Sequence, residues 1–192
     1  MYSWTRRDVN TVHKNRNRLR FMGLSAMMAA FLCVLCPITI SFGAIPITLS
    51  VFALFLTASL VPMKVALAAT AVYLAVGAVG LPVFSAFTGG VFAFVSPSGG
   101  FLWGYLPAVL AVSFVCQKRK GHLLFALLGM LFGLVILYTF GLFGYCVLTG
   151  ARFWEGVAAV LPFLLPDACK ITAVACAYRL LYRRFSEFVL ET

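Results

Sequence analysis

Charge is scarce in this chain. Of its 192 residues only five are Asp or Glu, and charged residues of both signs make up 10 %. No stretch is polar enough to form a second domain. A mean hydropathy of +1.04 excludes both an ordinary soluble domain and a disordered chain. Histidine is limited to His13 and His122, which flank apolar runs. Neither has a second histidine nearby, so no metal-ligand set is formed in sequence. The phosphate loop G-x-x-x-x-G-K-S/T is missing, so the chain does not hydrolyse ATP by that fold. The six cysteines, Cys33, Cys36, Cys116, Cys146, Cys169 and Cys176, fall within or at the edges of apolar segments. That placement argues against a disulfide scaffold. Cys33-x-x-Cys36 has redox spacing, but on an apolar helix simple packing is the plainer reading.

These absences also bear on catalysis. Gly23-Leu-Ser-Ala26 faintly resembles an intramembrane serine protease, yet no span holds a histidine to act as base. An aspartyl intramembrane protease needs two acids, and Asp167 is the only one inside an apolar run. Binding therefore suits this chain better than reaction.

What is present is apolar, 63 % of all residues, with the basic groups placed at the ends of apolar runs. Six runs predict six membrane helices: 19–40, 46–61, 64–79, 99–116, 122–148 and 162–182. Pro46 fits a first helical position, where its missing N–H is no loss. The second and third runs are short for spanning helices. The expected fold is an all-α integral membrane protein, a bundle of six transmembrane helices with both termini cytoplasmic. Residues 1–18 would form a cytoplasmic segment, 19–182 the bundle and 183–192 a cytoplasmic tail. Under the positive-inside rule this places Lys64, Lys118, Arg119, Lys120, Arg183 and Arg184 in the cytoplasm, and leaves only Arg152 outside. The net charge of +10 thus reads as membrane orientation rather than nucleic-acid binding. The first run read as a signal peptide, cut after Ser41-Phe-Gly-Ala44, would have a long apolar core and would leave five spans, spoiling the charge asymmetry.

Segment 80–98 carries Phe84, Phe87, Phe92 and Phe94 among uncharged residues. Non-helical backbone near a membrane survives only where protein covers it or it lines a cavity. Two readings stand: an interfacial loop anchored by aromatics, and a lid over an outward-facing pocket.

Pro162-Phe-Leu-Leu-Pro-Asp-Ala-Cys-Lys170 holds an acid and a base in the sixth run. Each costs about 3 kcal/mol to insert. Asp167 and Lys170 are three residues apart and share a helix face. They serve either as a structural ion pair or as donor and acceptor for a ligand. Ser96-Pro-Ser-Gly-Gly100 opens the fourth run, either as a plain Gly-rich helix start or as an anion site of free N–H groups. Ser25, Ala26, Ala29 and Ala30 form a small-residue stripe, for packing within the chain or for docking another subunit. Gly129-x-x-x-Gly133 carries the same ambiguity.

Together these segments resemble the BioY family, the biotin-specific substrate-binding (S) components of energy-coupling-factor (ECF) transporters. The resemblance covers nearly the whole chain after residue 20. It rests on Ile45-Pro-Ile-Thr-Leu49, Tyr73-Leu-Ala-Val-Gly-Ala-Val-Gly-Leu-Pro-Val-Phe84, Ser96-Pro-Ser-Gly-Gly-Phe101 and Pro162-Phe-Leu-Leu-Pro-Asp-Ala-Cys-Lys170. There are departures. The family commonly reads Gly-Pro-Thr-Gly-Gly-Tyr at 96–101, so a hydroxyl is kept at Ser98 and lost at Phe101. Members often carry Asn or Gly near Ala86, and Gln where Ser50 stands.

The resemblance implies a plasma-membrane S component without enzymatic activity or cofactor, with biotin as its transported ligand. It implies a membrane coupling subunit and two ATPase subunits as partners, and no nucleic acid. It also implies ligand contacts from Asp167, Lys170, Ser98, Gly99, Gly100, Phe101, Phe84 and Thr48. Asp167 would accept from the ring N–H groups of the cyclic urea and Lys170 donate to its carbonyl. The valerate carboxylate would lie at the amides of 98–101, with Phe84 over the thioether ring; a reversed pose puts Lys170 on the carboxylate. Ser25, Ala26, Ala29 and Ala30 would meet the coupling subunit. An S component for another small vitamin and a solo carrier remain the alternative readings.

Overall fold

The computed structural model describes residues 6–42, 45–119 and 121–190. Lys120, and Gly43 and Ala44 of the alternative cleavage site, fall outside that description. The order is helix α1 (Arg6–Leu35), a hairpin of β1 (Thr39–Phe42) and β2 (Ile45–Thr48), then α2 (Ser50–Leu60), α3 (Met63–Ala78), α4 (Gly99–Lys118), α5 (Leu123–Thr149), α6 (Phe153–Val160) and α7 (Leu164–Leu190). Two 3-10 turns, Ser85–Phe87 and Val91–Val95, lie between α3 and α4, and a third, Leu161–Phe163, joins α6 to α7.

Among the described residues, four stretches are long and apolar enough to cross a membrane: 15–35, 99–118, 123–149 and 153–182. The shorter α2 and α3, 11 and 16 residues, are about 16 and 24 Å long. α2 is short because it is the centre. Its residues from Ala53 to Ser59 are buried without a break, so no side of it faces lipid. A helix apolar all round belongs inside a bundle. The last carbonyls of α2 cannot be met by Pro62, which has no N–H. Side chains of α4 meet them instead: Ser113 Oγ donates to Ala58 O at 2.9 Å and Gln117 Nε2 to Val61 O at 3.4 Å.

Two expectations at this end of the chain are corrected. The first helix stops at Leu35 rather than at 40, and the second begins at Ser50 rather than at Pro46. Thr39–Phe42 and Ile45–Thr48 pair as antiparallel strands, with Ser41 opposite Pro46. β-branched residues supply five of their eight positions, Thr39, Ile40, Ile45, Ile47 and Thr48, which favours strand over helix. The short α6 was not expected either. Glu155 accepts from the Arg152 N–H at 3.0 Å and so caps its start.

α4 and α5 lie closely together. A side chain at Gly129 would stand 3.0 Å from Val115 Cβ, and one at Gly133 would meet Val112 and Phe55. Gly129-x-x-x-Gly133 is therefore an internal contact. At the far end of α4, Lys118 lies over the Phe114 ring at 4.3 Å and Arg119 over Phe125 at 4.9 Å. The intervening turn is held by Tyr178 of α7, whose hydroxyl accepts from the Gly121 N–H at 3.1 Å.

Candidate functional site

The opposite end of the bundle holds a partly open cleft. Both α4 and α7 start there. α4 contributes Phe101, Leu102 and Tyr105, preceded by Ser98; α7 contributes Asp167 and Lys170. Leu137 and Tyr138 come from α5, Thr48 from the hairpin, and Ser85 from the α3–α4 connection. The walls are mainly apolar, so its few polar groups dominate recognition.

Asp167 is 4 % exposed, in the first turn of α7, where the helix dipole favours an anion. Lys170 Nζ donates to Asp167 Oδ1 at 2.6 Å. Tyr138 OH donates to Asp167 Oδ2 at 2.7 Å. Both carboxylate oxygens thus have partners, and the pair sits on the cleft wall instead of in the packed core. Sequence reasoning missed Tyr138. A tyrosine in an apolar run is an ordinary lipid-interface residue, and nothing in its own segment points to an acid 29 positions away. Thr48 Oγ1 accepts from Ser50 Oγ at 2.8 Å, which orients a second polar group of the cleft.

The other expected contacts divide. Ser98 and Phe101 line the cleft with their side chains, and Ser98 Oγ lies 3.2 Å from Ser96 Oγ. Gly99 and Gly100 do not line it. Gly99 is packed against the carbonyl of Phe94 and Gly100 against α5. The expected anion cradle is half spent, because the Gly99 N–H donates to Ser96 O at 2.7 Å and the Phe101 N–H to Ser98 O at 3.1 Å. These glycines serve close packing.

Phe84 is also placed elsewhere. It is 1 % exposed, and its ring lies on Gly77. It stands edge-on to Tyr73 (5.6 Å, 81°) and to Phe94 (5.6 Å, 88°). Tyr73 and Gly77, one turn apart on α3, receive it, so the Gly80-Leu-Pro-Val-Phe84 segment is a lock that holds the connection down. Of the four phenylalanines in that connection, Phe84 and Phe94 turn inward while Phe87 and Phe92 are 67 % and 85 % exposed.

The small-residue stripe of α1 is split. Ser25 and Ala29 are buried within the chain, whereas Ala26 and Ala30 are exposed. Only the second pair remains free for a partner. The Ser25 and Ala29 half of the expected docking face is withdrawn, because it packs inside the bundle.

Comparison with known proteins agrees with this architecture. The model of the BioY family matches residues 9–187. A probable biotin transporter BioY of Pyrococcus horikoshii is 32 % identical over 160 residues, covering 83 % of this chain and 94 % of that protein. The biotin transporter BioY of Thermotoga maritima is 37 % identical over 106 residues, covering 55 % of this chain and 62 % of that protein. The chain thus matches under two thirds of the Thermotoga protein's length. Among solved structures, the S-component for biotin from an ECF-type ABC transporter superposes with a TM-score of 0.79 at 24 % identity, covering 88 % of this chain and 94 % of that one.

Proposed function

Because this chain belongs to the BioY family, we propose that it is the substrate-binding S component of a biotin uptake transporter, a binding protein and not an enzyme. The observation that carries this reading is the Asp167–Lys170 pair, hydrogen-bonded yet set on the wall of a mainly apolar cleft. Two ionised groups carry a desolvation cost that packing alone repays poorly, and here they line a cleft where a ligand can reach them. Biotin offers complementary groups: two N–H donors and a carbonyl on its cyclic urea, an apolar thioether ring and a carboxylate. Asp167 accepts from one urea N–H, since the two ring N–H bonds diverge on either side of the carbonyl, and Lys170, with three donors, serves both Asp167 and the urea carbonyl. Ser98, Ser85 and Thr48 offer hydroxyls to the remaining polar end, and the rings of Phe101, Tyr105 and Phe163 form the apolar wall.

In the proposed membrane placement, six segments cross or enter the bilayer and both termini are cytoplasmic. The cleft opens to the outside. α4 supports this orientation: Ser98 and Phe101 stand at its cleft end, and Lys118 and Arg119 about 30 Å away at its other end. Basic groups favour the cytoplasmic side. The chain resides in the plasma membrane. A membrane coupling subunit and two ATPase subunits supply the energy that the chain, lacking a phosphate loop, does not.

Purified protein titrated with biotin, thiamin and riboflavin tests the reading. Saturable one-to-one binding of biotin alone, without ATP or partner subunits, is expected. Heat and a thermal shift with thiamin or riboflavin instead would assign another vitamin, and binding of none would leave the biotin reading refuted.

A further inference from the structure

Asp167 is held from two sides by groups of different reach. Lys170 is on the same helix, one turn away, and takes Oδ1; Tyr138 comes from α5 and takes Oδ2. We infer that Tyr138 is a positioning residue, one that fixes the Asp167 carboxylate so that a free acceptor direction faces the cleft beside the Lys170 ammonium, and thereby selects ligands carrying an N–H donor next to a carbonyl acceptor. The inference rests on the biotin-binding reading and deepens it.

The argument is one of counting and of torsion. An ionised carboxylate has about four acceptor positions. One on each oxygen is occupied, which leaves one on each for a ligand. The torsion that turns an Asp carboxylate is broad and roughly two-fold, so the side chain itself does not set the plane. Lys170 alone does not set it either, because a flexible ammonium can follow or straddle both oxygens. A phenol hydroxyl on a rigid ring does. The Tyr138 ring stands edge-on to Phe101 (82°, 6.4 Å between centroids), so its own plane is fixed by an aromatic neighbour in the cleft. Without that hydroxyl, Lys170 can draw both oxygens toward itself, and the ligand N–H loses its aligned acceptor.

A residue that acts through Asp167 must lose its effect when Asp167 is changed. A merely structural tyrosine must not. Tyr138→Phe keeps the ring and its contact with Phe101, and the melting temperature of the ligand-free variant verifies folding. Tyr138→Phe, Asp167→Asn and the double variant are compared in a scintillation proximity assay with tritiated biotin, which reaches weak as well as tight binding. Tyr138→Phe is expected to weaken binding about tenfold in the otherwise natural chain, and less than twofold once Asn stands at 167. Equal factors in the two backgrounds, or a Tyr138→Phe protein that binds within twofold of the natural one, would overturn the inference while leaving the biotin reading standing. A natural protein with no saturable biotin binding overturns the reading itself, and this ligand-specific role with it.

Discussion

Gly100 of α4 and Gly144 of α5 meet backbone to backbone. A Cβ added to Gly100 would stand 2.8 Å from the Gly144 Cα and 2.6 Å from the Phe140 carbonyl oxygen. The contact sets the distance between the two helices at the level of the cleft, directly beside Ser98, Phe101 and Tyr138. Lipid offers helices little hydrophobic reason to associate, so such close approach is a main source of their affinity.

Gly144→Ala is therefore expected to force α4 and α5 apart, costing about 1–3 kcal/mol. The melting temperature of detergent-purified protein should fall, and biotin affinity with it. Gly23→Ala is the control: nothing lies within 4 Å of a Cβ there, and the position is mid-helix, so stability should hold or rise. Equal melting temperatures for Gly144→Ala and the natural protein would mean that the interface tolerates a wider spacing.

Ala86 and Phe87 both have φ of 55°, in the left-handed region that L-residues other than Gly and Asn avoid. The position near which the family often carries Asn or Gly is thus one whose backbone asks for them. Ala86→Gly should relieve strain and raise stability by about 1 kcal/mol, read as a higher melting temperature. Ala86→Val should lower it, since a branched Cβ worsens the same clash. The reverse order would show that the turn is unstrained.

Lys170→Ala leaves Asp167 with Tyr138 as its one remaining partner, and an unpaired buried charge is costly. Biotin affinity should fall by about 2 kcal/mol or more. Biotin methyl ester tells the two ligand orientations apart. If Lys170 serves the urea carbonyl, the loss persists with the ester; if it serves the carboxylate, the loss with the ester is small. Lys170→Ala protein that binds both ligands like the natural one would make the pair purely structural.

Ala26→Leu and Ala30→Leu place bulk on the exposed half of the α1 stripe, and no α1 residue lines the cleft. Both variants should bind biotin normally and fail to support ATP-driven uptake with coupling subunits, because small side chains there permit a partner helix to approach. Ala29→Leu should behave differently, unfolding or weakening the protein itself, since Ala29 is 4 % exposed inside the bundle. Full uptake by Ala26→Leu and Ala30→Leu would move the docking face elsewhere.

Much of this molecule is legible in one dimension. In lipid every backbone group must bond within its own segment, so long apolar runs have no choice but helix. That is why α3, α4 and α5 fall within two residues of the runs that announce them. Asp167 and Lys170 are legible for the same reason: ionised groups in an apolar run are rare, and their spacing puts them on one helical face. The strands β1 and β2 are hard to read in sequence because apolar β-branched residues continue the hydrophobicity of α1. The short α6 was hidden by a stretch whose charges, Arg152 and Glu155, read as loop.

What the sequence by itself determined is the material: membrane helices, a single buried acid with a base one turn away, and small residues at stated positions. Only the tertiary structure decided how each is used. The same kind of glycine or alanine serves a helix contact at Gly100 and an open face at Ala26, and the same kind of aromatic is a core lock at Phe84 and a cleft wall at Phe101. Small and apolar side chains carry no directional chemistry of their own, so their role is fixed by what packs against them. Tyr138 is the sharpest case. Its hydroxyl acquires a purpose only when α5 is brought against α7 and places it 2.7 Å from Asp167.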